Sequence, residues 1–114
     1  MDIIVQRELL LKPLQALSGI VEKKQTLPLL ANVLLSVKDN QLWLTGTDME
    51  IELIGFVPII EQHASSVTTV SARKLFDICR ALPEGCQVRL TLEKNHLMVR
   101  AADSNFKLNT LPAD

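Results

Sequence analysis

Along residues 33–53 apolar side chains fall at alternate positions: Val33, Leu35 and Val37, then Leu42 and Leu44, then Met49, Ile51 and Leu53. Period two marks strands with one buried face, and Asp39-Asn40 and Gly46-Thr47-Asp48 supply turn residues between the runs. The stretch predicts a three-stranded antiparallel meander. The same pattern returns 55 positions later. Val33, Leu35 and Val37 map onto Val88, Leu90 and Leu92, Leu42 and Leu44 onto Leu97 and Val99, and Ile51 and Leu53 onto Phe106 and Leu108. Asn40 and Asp48 fall on Asn95 and Asp103, and Leu27-Pro28 falls on Leu82-Pro83. The chain is a doubled unit.

Each meander follows a short strand and a helix. Ile3 to Val5 is β-branched and predicts a strand at a sheet edge, and residues 67–70 match it in role. Leu10, Leu14, Leu17 and Val21 form one stripe of an amphipathic helix. Pro13 predicts that this helix either starts later than Arg7 or kinks, and Ser18-Gly19 predicts its end. In the second unit Ser71 is a good N-cap, and Leu75, Ile78, Cys79 and Leu82 make the apolar stripe. Residues 61–66 read as a polar surface turn. The helices align at an offset of 65 and the strands at 55, so the first unit carries about ten more residues between helix and sheet. The expected fold is α+β: two β-α-β-β-β units, roughly residues 1–60 and 61–114, with two helices on one face of antiparallel sheet.

At 114 residues and 47% hydrophobic content, the chain is one globular domain's worth. Its apolar runs are too short to span a membrane, and the expected setting is cytoplasmic. A net charge of -1 gives no global attraction to nucleic acid, so anion binding must come from local clusters. Cys79 and Cys86 lack metal-ligand spacing, and Cys79 reads as a buried thiol.

Few residues suggest chemistry. Asp48, Glu50 and Glu52 alternate with apolar residues and read as the solvated side of a strand, although paired acids can bind metal. His63 and His96 have no ligand-spaced partner. No nucleophile–base signature, phosphate-cradling loop or zinc spacing occurs, so neither catalytic residues nor cofactors are expected. The basic residues say more. Arg73 and Lys74 stand in the first turn of the second helix, where the macrodipole is already positive, and Lys23 and Lys24 stand in the longer loop. Trp43, Phe56, Phe76 and Phe106 sit mostly at core-patterned positions, so DNA contact would be with backbone phosphate and not with bases.

Several segments carry a resemblance that spans nearly the whole chain. Leu10-Leu11-Lys12-Pro13-Leu14-Gln15, Leu42-Trp43-Leu44-Thr45-Gly46-Thr47-Asp48, Ser71-Ala72-Arg73-Lys74, Phe76-Asp77-Ile78-Cys79-Arg80 and Leu82-Pro83-Glu84-Gly85 resemble the first domain of the bacterial sliding-clamp family, the beta subunits of DNA polymerase III. The resemblance implies a homodimeric ring of head-to-tail protomers around double-stranded DNA, with helices lining the hole and sheets outside. Each protomer would have three such domains, the second and third absent from this chain. It implies a non-catalytic processivity role, with the replicative DNA polymerase and the clamp loader as partners. The family's DNA-contacting positions fall on Lys24 and Arg73. One side of its protomer interface falls on Ile78, Leu82, Phe106 and Leu108, and Asp103 and Asn105 depart from the basic residues common there.

Two other readings compete: a protein-interaction module pairing through an edge strand, and a metal-dependent hydrolase using Asp48, Glu50 and His96. The isolated domain is expected to be monomeric or weakly associating.

Overall fold

The alternating runs pair in the register that their spacing implies. A computed structural model of the protein describes residues 1–21, 31–47 and 50–112. In β2 (Asn32–Lys38) and β3 (Gln41–Thr47), Leu35 stands opposite Leu44 and Val37 opposite Leu42. In β6 (Gln87–Glu93) and β7 (His96–Ala101), Leu90 stands opposite Val99 and Leu92 opposite Leu97, 55 positions on. Two-residue turns close both hairpins. Asp39 and Asn40 take φ of 55° and 59°, the left-handed pair that suits the twist of a tight hairpin. In the second hairpin Lys94 takes φ of 55°.

The third strands depart from the expected register. β4 (Glu52–Ala64) and β8 (Ser104–Asn109) place Gly55 opposite Leu44 and Phe106 opposite Val99. Phe106 and Leu108 therefore correspond to Gly55 and Val57, not to Ile51 and Leu53. Six residues separate the paired Gly46 and Leu53, whereas two separate the equivalent pair Ala101 and Ser104, which accounts for the four-position shift. Ile51 precedes the strand and is 55% exposed, contrary to the alternation. β4 also runs through residues 61–64, which were expected to be a turn; Glu61 and Gln62 pair with Ile4 and Ile3. The two halves meet at Ser65-Ser66, between β4 and β5 (Val67–Ser71), rather than at residue 60.

The sheet order is β5-β2-β3-β4-β1-β6-β7-β8. β1 (Asp2–Gln6) is thus interior, flanked by β4 and β6, and not the edge strand expected of it. Its Ile3 and Val5 are fully buried. Each half lends its first strand to the other half: β1 pairs with β6, and β5 pairs with β2. The ends of the sheet touch at one bridge, where Thr69 and Leu111 exchange backbone hydrogen bonds of 3.2 and 3.1 Å. That closure covers part of the exposed edges.

Both helices pack on one face, and odd-numbered residues of β2 and β4 point toward them. α1 (Arg7–Val21) buries Leu10, Leu14 and Leu17 completely. It begins at Arg7, runs through Pro13 and continues past Ser18-Gly19. Ser18 is buried and donates its hydroxyl to the Gln15 carbonyl at 3.1 Å, so it serves the helix interior rather than its end. Pro13 lies so close to β4 that a Cβ at Gly55 would stand 2.7 Å from Pro13 Cβ. α2 (Ala72–Ala81) is capped by Ser71, whose Oγ accepts from the Lys74 N–H at 3.2 Å, and buries Leu75 and Cys79. α1 has 15 residues and α2 has 10, so half of the first unit's surplus lengthens its helix.

Arg7 ties the halves together. Its buried guanidinium donates through Nε to the Cys79 carbonyl (2.8 Å) and through Nη2 to the Arg80 carbonyl (3.0 Å), and its backbone N–H donates to the Cys86 carbonyl (3.1 Å). Glu8 pairs with Arg7 Nη1 at 2.7 Å and accepts from the Gly85 N–H at 3.0 Å. The Gly85 N–H, the Arg7 guanidinium and the Gln6 amide hold the Glu8 carboxyl down to about 2. Two hydrogen bonds from Arg89, with help from Thr91, hold Asp2 at about 2 as well.

Adding a methyl at Gly55 forces α1 off the sheet, so Gly55→Ala should lose about 1–3 kcal/mol in urea unfolding. Gly19→Ala, with nothing within 4 Å of its Cβ, should instead gain up to about 1 kcal/mol. Equal effects would dispose of the close-approach account. Because the folded-state values of Glu8 and Asp2 lie below their ordinary ones, their stabilisation is complete above about pH 4.5 and is lost as pH falls toward 2. Glu8→Gln should flatten the acid limb of a stability–pH curve, and thermal melts between pH 2 and 7 measure this.

Candidate nucleic-acid interface

Positive charge gathers where α2 begins. The helix end contributes its own partial positive charge, and Arg73 and Lys74 add two cations on the exposed side of the first turn. Arg73 is half exposed and pairs with Asp77 one turn on, its Nε 3.2 Å from the carboxylate. Arg80 reaches the same carboxylate from the other side at 3.4 Å. Its guanidinium also lies 5.2 Å from the Phe76 ring centroid. This Arg73–Asp77–Arg80 ladder holds both arginines along the helix and leaves it a net positive charge. Pairs this exposed contribute little to stability, so the ladder orients charge more than it fixes the fold.

Lys74 also lines a groove of about 400 Å³ between the start of α2 and the end of β8, together with Asn32, Ser71, Lys107 and residues 108–111. Sequence reasoning passed over Lys107, which is far from α2 in the chain and reaches the groove only because β8 returns to β5. Arg7 and Glu8 were missed too, although an arginine in a first turn, against the dipole, was the available signal. Lys23 and Lys24 lie outside the described residues, so the structure brings together only Arg73 and Lys74 of the four predicted basic positions.

The four predicted interface positions lie on α2, just after it, and on β8. Leu82 and Leu108 are buried within the domain, whereas Ile78 and Phe106 are half-buried against the core. Asp103 is exposed in the β7–β8 turn and Asn105 is exposed on β8. Two aromatic assignments need correction. Phe56 is 56% exposed and Trp43 half-exposed, both on the sheet face away from the helices, because the inward positions of their strands are taken by Gly55 and Val57 on β4 and by Leu42 and Leu44 on β3.

The acidic residues do not converge. Glu50 and Glu52 are exposed, Asp48 lies outside the described residues, and His96 stands on β7 opposite Glu93. Among the described residues no three of His, Cys, Asp and Glu could hold a metal ion. No helix among them is long and apolar enough to cross a membrane.

A two-helix layer on a sheet with strand ends joined, and cations at one helix start, can be set against known proteins. The family model for the DNA polymerase III beta subunit, N-terminal domain, matches residues 1–114. The chain belongs to that family. It is 50% identical over 113 residues to the beta sliding clamp of Escherichia coli K12, covering 99% of this chain and 31% of that protein. It is likewise 50% identical over 114 residues to the beta sliding clamp of Pseudomonas aeruginosa PAO1, covering all of this chain and 31% of the relative. A crystal structure of the Pseudomonas aeruginosa sliding clamp bound to griselimycin superposes with a TM-score of 0.94 at 50% identity, over 99% of this chain and 31% of the other. The Caulobacter crescentus pol III beta structure gives 0.93 at 34% identity, over 99% and 30%. The chain thus spans about a third of the length of the relatives it matches.

In this beta-subunit N-terminal domain the two thiols differ in environment. Burial pushes the Cys79 thiol up to about 12, while Cys86 is half-buried. Thiolate is the reactive form, so iodoacetamide at pH 8 should label Cys86 and leave Cys79 unmodified until the protein is denatured. Peptide mass mapping reads the result, and native labelling of Cys79 would contradict the buried placement.

Proposed function

We propose that this chain is the first domain of a ring-shaped processivity clamp that encircles duplex DNA and tethers the replicative DNA polymerase. Its identity to named sliding clamps across the whole chain carries the reading. The domain performs no catalysis. It acts as a wall segment, with α1 and α2 toward the DNA and the sheet outward.

DNA contact is electrostatic. Arg73 and Lys74 at the start of α2, with Lys23 and Lys24 of the first unit, neutralise backbone phosphates without reading bases. Such contacts are weak singly and permit sliding, because every phosphate is equivalent. Lysine at position 24 acts as a point charge rather than a planar fork, which suits a contact that must break easily. Ile78 and Phe106 form the apolar part of a protomer interface in the homodimeric ring, with Leu82 and Leu108 buried behind them and Asp103 and Asn105 giving its rim an unusual charge. The clamp loader and polymerase engage the longer protein, and the setting is cytoplasmic.

In the full-length protein, Arg73→Ala plus Lys24→Ala should shorten retention on circular duplex DNA. The slope of log affinity against log salt should fall by up to about 2, with the melting temperature unchanged. Retention and salt slope equal to the parent's would remove these residues from the DNA contact.

A further inference from the structure

The outer face of the first unit carries an apolar stripe that the second unit lacks. β4 turns Ile54, Phe56, Pro58 and Ile60 away from the helices, and Ile54, Phe56 and Ile60 are 50%, 56% and 46% exposed. Trp43 on β3 stands directly opposite Phe56, with ring centroids 5.4 Å apart. At the corresponding outward positions β8 has Asn105 and Lys107, and β7 has Met98 opposite Lys107. The fold does not need this surface, because the buried face of the same strands already packs against α1. An exposed face of a sheet is ordinarily polar.

We infer that this stripe is a homotypic docking face, through which two copies of the chain pack sheet against sheet around Trp43 and Phe56. Charge supplies the complementarity. Glu52 is exposed on the outward side at one end of the stripe. Lys38 is exposed toward the other end, with its Nζ 5.8 Å from the Trp43 ring centroid. Glu61, just past Ile60, already faces His63 at 3.4 Å. A two-fold axis lying across the strands reverses the stripe of the second copy, bringing the Glu52 end of each toward the Lys38 end of the other. Like copies are then matched rather than repelled.

Area sets the strength. With these side chains about half exposed, the patch amounts to roughly 400 Å², the size at which a monomer's apolar patch is often functional. It is about half of the ~800 Å² per partner of a standard interface. The association is therefore weak and concentration-dependent, with an aromatic pair at its centre where hot spots concentrate. It is also separate from the ring interface proposed above, which uses α2 and β8.

Sedimentation equilibrium of the 114-residue chain from about 10 μM to 1 mM tests the proposal, on the concentration range a weak dimer requires. The expected result is a monomer–dimer equilibrium whose association constant falls at least about tenfold in Phe56→Arg. Ile60→Lys serves as a second exposed substitution should Phe56→Arg fail to fold. Lys38→Glu and Glu52→Lys should each weaken the dimer about three- to tenfold, and together restore it. A single-chain mass at every concentration would overturn the proposal, as would a dimer insensitive to these variants. So would a dimer abolished by Phe106→Arg alone, which would assign association to the ring surface instead. Failure of the DNA-retention test leaves these outcomes untouched.

Discussion

The buried guanidinium of Arg7 is the constraint on which the joining of the two halves rests. Among the described residues it is the buried formal charge, and it stands at the start of α1 against the last turn of α2. A cation there is favoured by the C-terminal dipole of α2 and disfavoured by its own helix. The balance is settled by satisfaction: two α2 carbonyls and Glu8 accept from it, and among the described residues no buried side-chain polar atom is left without a partner. Removing the guanidinium would take a donor from the Cys79 and Arg80 carbonyls, of which Cys79 keeps the Leu82 N–H, and would leave Glu8 without its ion pair. At the corresponding position the second unit has Ala72, fully buried. The repeat therefore has one lock, not two.

That asymmetry runs through the molecule. β1 is paired on both sides, while its counterpart β5 stands at the far end of the sheet and meets the segment after β8 at the Thr69–Leu111 bridge. The interior strand is covered along its length, whereas the opposite seam is closed by a single bridge and the groove beside it. The groove and the cations at the start of α2, Arg73 and Lys74, lie near this second seam, away from the Arg7 lock at the helix's other end. One junction fixes the domain, and the other leaves surface available for contacts.

Much of the fold was legible because its signals are local. Alternation placed β2, β3, β6 and β7 with their partners, since a two-residue turn leaves no freedom of register. The offset of 65 for the helices also holds for β1 and β5, as their pairings with β6 and β2 show. Register failed at β4, where four more residues separate Gly46 from its partner Leu53 than separate Ala101 from Ser104, and where the alternation of Met49, Ile51 and Leu53 begins before the strand does. The interior place of β1 was invisible, because Ile3 and Val5 read the same on an edge as between two strands. Of the candidate site, Arg73 and Lys74 could be read from their place after an N-cap. Lys107 could not, since only β8's return across the sheet brings it beside Lys74.

The same distinction explains the outer face. A sequence pattern records that Phe56 alternates with its neighbours, but not which face that alternation serves. The four-residue β3–β4 connection decides it. With Gly55 and Val57 facing α1, Gly55 must be glycine to admit Pro13, and Phe56 must then point outward beside Trp43. Moving the strand by one residue would bury Phe56 and expose Val57, but it would also drive a large side chain into Pro13. The close approach of α1 thus fixes the register of β4, and the register of β4 creates the exposed apolar stripe. The feature on the outside of the domain is a consequence of the packing within it.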